Sequence, residues 1–485
     1  MHRTLSPRAA LCVALVVPGA LLAQRGDTLR LSIGDAVARA GRQGNAARLA
    51  AAQLEISDVQ LDLARASALP TMRVTGGYTR SFRSARGAAV GRLFGQVNTY
   101  TIGGTFTQPI FQGGRALYGI RAASRLRGAA RLVAEDARVA AALDAQRAYL
   151  NVLLAGRLSE IQQSNLTLAS ERVTQAERLL AGGRVARYDV LRARVERANA
   201  EPLALDAENA RAVALLDLKR LLGIPLDQSL ELTSRLDAGG VIASLASFTP
   251  DSIDAMSAAR ARLSVRAAEL TASARREAIR VARADMLPNV SLFVSGGAQA
   301  FPEAGTPPLA GHLPCVVRRD DGSCQTRVQN GGFFPDLSAG FQLSWNLFDY
   351  FRTKGNIDLA QAQADLARIQ LETERDAAAV EIERAKAELL RARSFYAARR
   401  QAAQEAQETF RLASLRYNRG LGTQLDVSDA QIAQLTAETN EARAAVDLYL
   451  AAAELAYTLG RPLPLPPSAP EPVRATSNSS ESNSP

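Results

Sequence analysis

Two hydropathy patterns divide this chain. Short stretches alternate strictly between apolar and polar residues. Met72, Val74, Tyr78 and Phe82 fall on one face, with Arg73, Thr75, Thr79 and Ser81 on the other. Tyr100, Ile102 and Phe106 alternate with Thr101, Thr105 and Thr107. Later, Val290, Leu292 and Val294 alternate with Asn289, Ser291 and Ser295, and Leu337, Phe341, Leu343 and Trp345 with Ser338, Gln342 and Ser344. A period of two predicts strands, and there are four of them. The rest is alanine-rich and helical in period. One helix is predicted over 30–68, with Ser32 as N-cap and Asp35 in the first turn, ending at Leu69-Pro70. Others are predicted over 115–180, 188–222, 250–286 and 353–417, and a last one ending at Gly460. Gly182-Gly183 and Gly420-Leu421-Gly422 break the longest ones, as glycine does after a helix C-terminus.

The chain contains itself twice. Ile110-Phe111-Gln112-Gly113-Gly114-Arg115 returns as Leu347-Phe348-Asp349-Tyr350-Phe351-Arg352, 237 residues on. Asp189-Val190 returns at that offset as Asp426-Val427, and Gly223-Ile224-Pro225 as Gly460-Arg461-Pro462. An ungapped duplication of this length means two equivalent structural units. The expected organisation is a secretory signal over 1–23, a first repeat over 24–238, a second over 239–465, and a Pro/Ser-rich tail over 466–485 read as disordered. The signal rests on Arg3 and Arg8, the apolar run Leu11 to Val17, and a cleavage zone ending at Ala23. That run is too short to span a bilayer.

Each strand is about ten residues, the length that crosses a bilayer at a tilt. One polar and one apolar face suits a barrel wall with water inside and lipid outside. Aromatic residues cluster near the strand ends: Tyr78, Phe82, Tyr100, Phe106, Phe111, Trp345 and Phe348, with Tyr350 and Phe351 beyond. Such residues favour a membrane interface. The alternative is an ordinary sheet packed on helices. Four strands cannot close a membrane barrel, and an open edge is not tolerated in lipid. Spanning strands would therefore require several chains to share one barrel.

The helix over 115–180 would extend roughly 100 Å if straight. In its counterpart, Ile357, Ala364, Leu371, Ala378, Ala385 and Ala392 recur every seven residues. Leu359, Leu366, Val380 and Ala387 form a second series two positions away, about 200° around the helix. A two-stranded coiled coil needs one such stripe. A helix in a cylinder wall, with a neighbour on each side, needs two.

Charge and composition narrow the function. Net charge is +10, mean hydropathy is −0.07, and no basic block carries interleaved aromatics, so nucleic acid is not an expected partner. Outside the signal, the single histidine is His312. With no strong nucleophile and no phosphate-binding loop, an enzyme is not expected, and no cofactor or metal is implied. Cys315 and Cys324 lie close together in a Gly/Pro-rich loop. In an exported protein they favour one local disulfide, with two free thiols as the alternative.

The duplication, the segment Thr107-Gln108-Pro109-Ile110-Phe111-Gln112-Gly113-Gly114-Arg115, and the helix tip from Arg416 to Val427 together resemble the outer-membrane efflux protein family, the TolC-like channels. The resemblance runs from about 30 to 465. It implies a mainly α fold with a membrane β-barrel: a homotrimer with twelve strands in the outer membrane and a twelve-helix tunnel in the periplasm. It implies passive export for an inner-membrane transporter, through a periplasmic adaptor, with outer-membrane lipid around the barrel. By position, Asp426 and Asp429 fall at an acidic constriction whose carboxylates would raise one another's pKa. Tyr417 and Asp189 fall where the family places hydrogen-bonded partners of the closed state. A gate-locking arginine is replaced by Gly422, so that the closed state is expected to be held more loosely, or by another residue such as Arg192 or Arg419. The tips Gly182, Gly183, Gly420, Gly422 and Thr423 match the adaptor-docking surface. Cargo is expected to be small molecules, with polypeptide secretion as runner-up. A periplasmic coiled-coil scaffold that never enters the membrane is the rival of a different class.

Overall fold

The computed structural model describes residues 28–83, 98–236, 253–301, 315–327 and 333–464. The expected signal and the tail lie outside them. The elements run β1 (Leu29–Leu31), α1 (Ile33–Gln43), α2 (Asn45–Ala66), β2 (Thr71–Arg80), β3 (Asn98–Gln112), α3 (Arg115–Ala181), α4 (Arg187–Leu222), β4 (Leu230–Leu232), α5 (Ala255–Ala261), α6 (Leu263–Arg283), β5 (Asn289–Ala300), β6 (Cys315–Arg318), β7 (Cys324–Arg327), β8 (Phe333–Ser344), α7 (Arg352–Asn418) and α8 (Gln424–Thr458). Helices α3 and α7, equivalent in the duplication, are both 67 residues long.

The four long strands form one antiparallel sheet in the order β2-β3-β5-β8. The register aligns the apolar positions across it. Met72 stands opposite Phe106, Phe106 opposite Val294, and Val294 opposite Ala339. One row on, Val74, Gly104, Gly296 and Leu337 line up. The other face carries Arg73, Thr105, Ser295 and Ser338, whose last two hydroxyls lie 2.7 Å apart. Tyr78 and Tyr100 pair across the far end, ring centroids 4.7 Å apart.

The helices beneath repeat this order. α2 packs on α3, α3 on α6, and α6 on α7. Lower down, α3 folds back along α4, α7 along α8, and α3 meets α8. The main core lies midway along the long helices, around Leu31, Ile33, Tyr149, Leu150, Leu218, Leu448 and Tyr449. Tyr149 is fully buried; its hydroxyl donates to the Leu31 carbonyl (2.9 Å) and accepts from the Ser234 amide (3.1 Å). Replacing Tyr149 with Phe strands the Ser234 amide, while the Leu31 carbonyl keeps the Thr233 amide at 3.1 Å. We expect a loss of about 1–3 kcal/mol, read as a lower midpoint in denaturant with no change in secondary structure.

Several elements differ from the sequence reading. The helix expected over 30–68 is a strand, β1, and two helices. Ser32 caps α1 as expected, its Oγ accepting from the Asp35 amide at 3.2 Å. The chain then breaks at Gly44, where a Cβ would collide with the Ala40 carbonyl oxygen. β1 pairs in parallel with β4; three residues are too few to show alternation. The described part of the helix expected over 250–286 is broken at Arg262 and ends in a tight turn over Ala284–Met286. β3 runs past Pro109 through a bulge to Gln112 and ends at Gly113-Gly114. There it is flanked by β5 alone, so the missing amide of Pro109 is tolerated.

Phe82 lies just beyond β2 with Arg80 over its ring, and Phe106 sits mid-sheet rather than at an end. β6 and β7 form a hairpin in which Cys315 faces Arg327 and Cys324 faces Arg318. The cysteine side chains lie outside the described residues. No helix among the described residues is long and apolar enough to cross a membrane.

Candidate functional site

The two helix tips share a backbone. α3 ends with Gly182 at φ −85° and Gly183 at +68°; α7 ends with Arg419 at −88° and Gly420 at +75°. Arg184 N donates to Leu179 O, and its counterpart Leu421 N to Arg416 O, both at 2.9 Å. Only the left-handed residue needs glycine, and Gly183 and Gly420 both face open space. Gly422 is more confined: a Cβ there would sit 3.4 Å from that of Arg416 and 3.6 Å from Asp426 Oδ2.

The next helices begin with matching caps. Asp189 Oδ2 accepts from the Ala186 amide at 3.1 Å. Asp426 Oδ2 accepts from the Thr423 amide at 2.8 Å, and Thr423 Oγ1 accepts from the Asp426 amide at 3.2 Å. The Thr423 amide, then its hydroxyl, hold the Asp426 carboxyl below its ordinary value of 3.8, with Arg416 adding to the effect. A depressed carboxyl stabilises the cap above that ordinary value, and the effect is lost as pH falls through the folded one. Within one chain the shift is thus opposite to the one a carboxylate ring would impose. Asp429 is exposed one turn on. Its counterpart in the first repeat is Arg192, a reversal of charge at equivalent backbone positions.

Behind the caps the two hairpins are joined by a polar node. Glu196 Oε1 accepts from Ser428 Oγ at 3.0 Å and from Arg192 Nε at 3.3 Å. Its Oε2 lies 3.8 Å from Arg172 Nη1. Arg172 in turn lies over the Phe410 ring, 5.9 Å from its centroid. Burial pushes the Arg172 pKa down, opposed by Glu196 and Tyr417. One carboxylate thus gathers groups from α3, α4 and α8, with α7 closing the side. Gln431 reaches Asn165 nearby, and Gln175 reaches Asn418 at 3.5 Å.

Tyr417 borders a cavity of about 160 Å³ between the hairpins, shared with Arg172, Phe410 and Gln424. Among the described hydrogen bonds, none joins Tyr417 to Asp189. Arg192 has a structural partner and Arg419 is exposed. Sequence reasoning missed Glu196, Arg172 and Ser428. A usable signal is the divergence of the repeats, since Glu196 corresponds to Ala433. Among the described residues no cluster of three or more His, Cys, Asp or Glu side chains forms a metal cage.

A four-stranded sheet continued strand by strand into long helices, with a polar node at the far tips, is a fold shared with known outer membrane proteins. The family model for outer membrane efflux proteins matches residues 43–224 and 256–461, one block in each half of the duplication; the chain belongs to this family. The fold matches that of the CmeC outer membrane channel of Campylobacter jejuni (TM-score 0.69, 18% identity, 88% of this chain and 85% of that one). It also matches the outer membrane protein VceC of Vibrio cholerae (0.69, 20%, 89% and 97%). A third match is the open-state MtrE channel of Neisseria gonorrhoeae (0.67, 20%, 89% and 89%). No curated protein sequence matches the chain significantly.

Proposed function

We propose that three copies of this chain close into a single outer-membrane export duct, with a sheet-walled pore in the bilayer and a helical tunnel in the periplasm. The observation that supports it best is the matched pair of open edges. β2 and α2 lie at one edge, β8 and α7 at the other. The edge helices carry exposed stripes at seven-residue spacing: Leu49, Ile56 and Leu63 on α2, and Leu359 and Leu366 on α7, continued by Val380 and Ala387, which border an open groove against the start of α5. The other series on α7, from Ile357 to Ala392, packs inside the chain. A helix with one stripe used and one free is half of a wall. The outer strands are antiparallel, so β2 of one copy can pair antiparallel with β8 of the next, and repetition removes every edge.

In this reading the tips form the periplasmic gate. Asp426 and Asp429 make a cation-attracting ring, with Asp426 kept ionised by its cap against repulsion from its neighbours. The Glu196 node holds the hairpins α3/α4 and α7/α8 together in the closed state, taking the place of an arginine at Gly422. The tip turns at Gly182, Gly183, Gly420, Gly422 and Thr423 form the docking surface for a periplasmic adaptor that joins the duct to an inner-membrane transporter. The cargo is small molecules; selection takes place at the transporter.

Single-channel recording of purified protein in planar bilayers tests this reading. We expect discrete, cation-selective steps, with selectivity kept at pH 5 and weakened in the Asp426→Ala, Asp429→Ala double variant. A trimer that conducts identically after both substitutions would remove the acidic ring from the gate. Folded protein that neither inserts nor conducts would favour a periplasmic scaffold.

A further inference from the structure

The two halves of the chain part company at one turn. Between β3 and α3, Gly113 and Gly114 take φ values of 61° and 84°, which glycine adopts freely. At the same place between β8 and α7 stand Tyr350 and Phe351, with φ values of 57° and 63°. Among the described residues they are the only non-glycines with positive φ. That region is strained for an L side chain. Burial does not offset the strain, because Tyr350 is 86% and Phe351 72% exposed. Both rings meet Phe348 edge-on, with centroids 5.9 and 6.3 Å apart.

A second irregularity follows at once. α7 opens with Arg352 and Lys354 and has no acid in its first turn, although a helix start favours acids. α3 also opens on a cation, Arg115, but there Asp285 closes onto it. Lys354 has no such partner among the described residues. Arg352 has only Asp349 near it, and that carboxylate is engaged by the Thr353 amide at 2.9 Å. Arg283, at the end of the adjoining α6, is exposed as well. Strained exposed aromatics and an excess of cations over acids thus share one junction between sheet and helix.

We propose that Leu347 to Lys354 is a binding surface for anionic phospholipid of the periplasmic leaflet. The inference rests on the membrane reading above, which sets this junction at the bilayer surface. The Phe348, Tyr350 and Phe351 rings seat in the interfacial layer, where aromatic side chains partition. Arg352, Lys354 and Arg283 face the headgroup phosphates. Excess positive charge selects an anionic lipid over a zwitterionic one.

The full-length protein is inserted into vesicles of equimolar phosphatidylglycerol and phosphatidylcholine and extracted in mild detergent. The lipid retained per trimer is measured by mass spectrometry. Wild-type protein should retain phosphatidylglycerol preferentially. Arg352→Gln with Lys354→Gln should lower that preference by about fivefold per charge. Tyr350→Gly with Phe351→Gly, which restores the glycine pair of the first repeat, should leave the trimer intact but retain less lipid of both kinds. Equal retention of the two lipids by wild type overturns the proposal and leaves the channel standing. Dissociation of the glycine variant into monomers also overturns it, by assigning the rings to a neighbouring copy. A wild-type chain that does not enter vesicles at all overturns the membrane reading together with the lipid surface.

Discussion

Replacing Leu359 and Leu366 with Asp should leave a folded helical chain that no longer assembles. Both side chains are more than half exposed, at 58% and 56%, so within one copy the change costs little. In a closed wall they meet the α2 stripe of the next copy. Each leucine then forfeits about 2 kcal/mol of burial, and each carboxylate put into that seam costs at least as much again. In the proposed trimer three seams would multiply the effect. We expect monomers by size-exclusion chromatography in detergent, with helical circular dichroism close to wild type. The matched control is Ile357→Asp, on the stripe packed inside the chain, which should damage the fold itself. Assembly that survives the double substitution would place the seam elsewhere.

The second large effect belongs to Glu196. Removing its carboxylate strands Arg172, whose side chain is only 18% exposed, and takes the acceptor from Ser428 and Arg192. A hydrogen bond to a charged group contributes about 1.5–3 kcal/mol, and a buried charge left alone adds to the loss. Of these contacts only the Ser428 bond crosses between the hairpins, so Glu196→Ala should loosen their grip by about 1.5–3 kcal/mol, the rest of the loss falling within α3/α4. In planar bilayers we expect longer or larger openings without the distant barrel being touched. In cells, entry of bulky antibiotics through the duct should rise. Glu196→Gln, which keeps the acceptor oxygen for Ser428, should fall between the two. Unchanged conductance in the alanine variant would limit the node to holding the tip together.

Much of this architecture is legible in the sequence because it is periodic. Strict alternation gives the four long strands, and glycines at a fixed offset give both tips, since a left-handed turn leaves few other choices. The double stripe on α7 is visible as two seven-residue series, and the structure separates them into a packed one and a free one. The failures have equally local causes. Gly44 and Arg262 break helices through backbone geometry that hydropathy does not encode. β1 and β4 are short, and their pairing joins residues about 200 apart, which no window along the chain can see. The Glu196 node escapes notice because its members come from three helices and none is unusual where it stands. Asp189 and Asp426 are plain in the sequence, yet what the structure shows of them is capping; any part in a gate depends on neighbouring copies.

The wall is made of staves. Four times the chain passes between strand and helix, and each time the order of neighbours is kept: β2-β3-β5-β8 above, α2-α3-α6-α7 below. In the proposed assembly the pore and the duct would therefore be one carpentered object rather than two domains joined by a hinge. A twist imposed at the tips has no swivel to absorb it and must be taken up by bending along the staves. The same build makes length an independent variable. Seven residues added at matching points of all the staves would lengthen the duct by about 10 Å while sheet, seams and tips kept their form. Reach across the periplasm could thus change in whole steps without any part being redesigned.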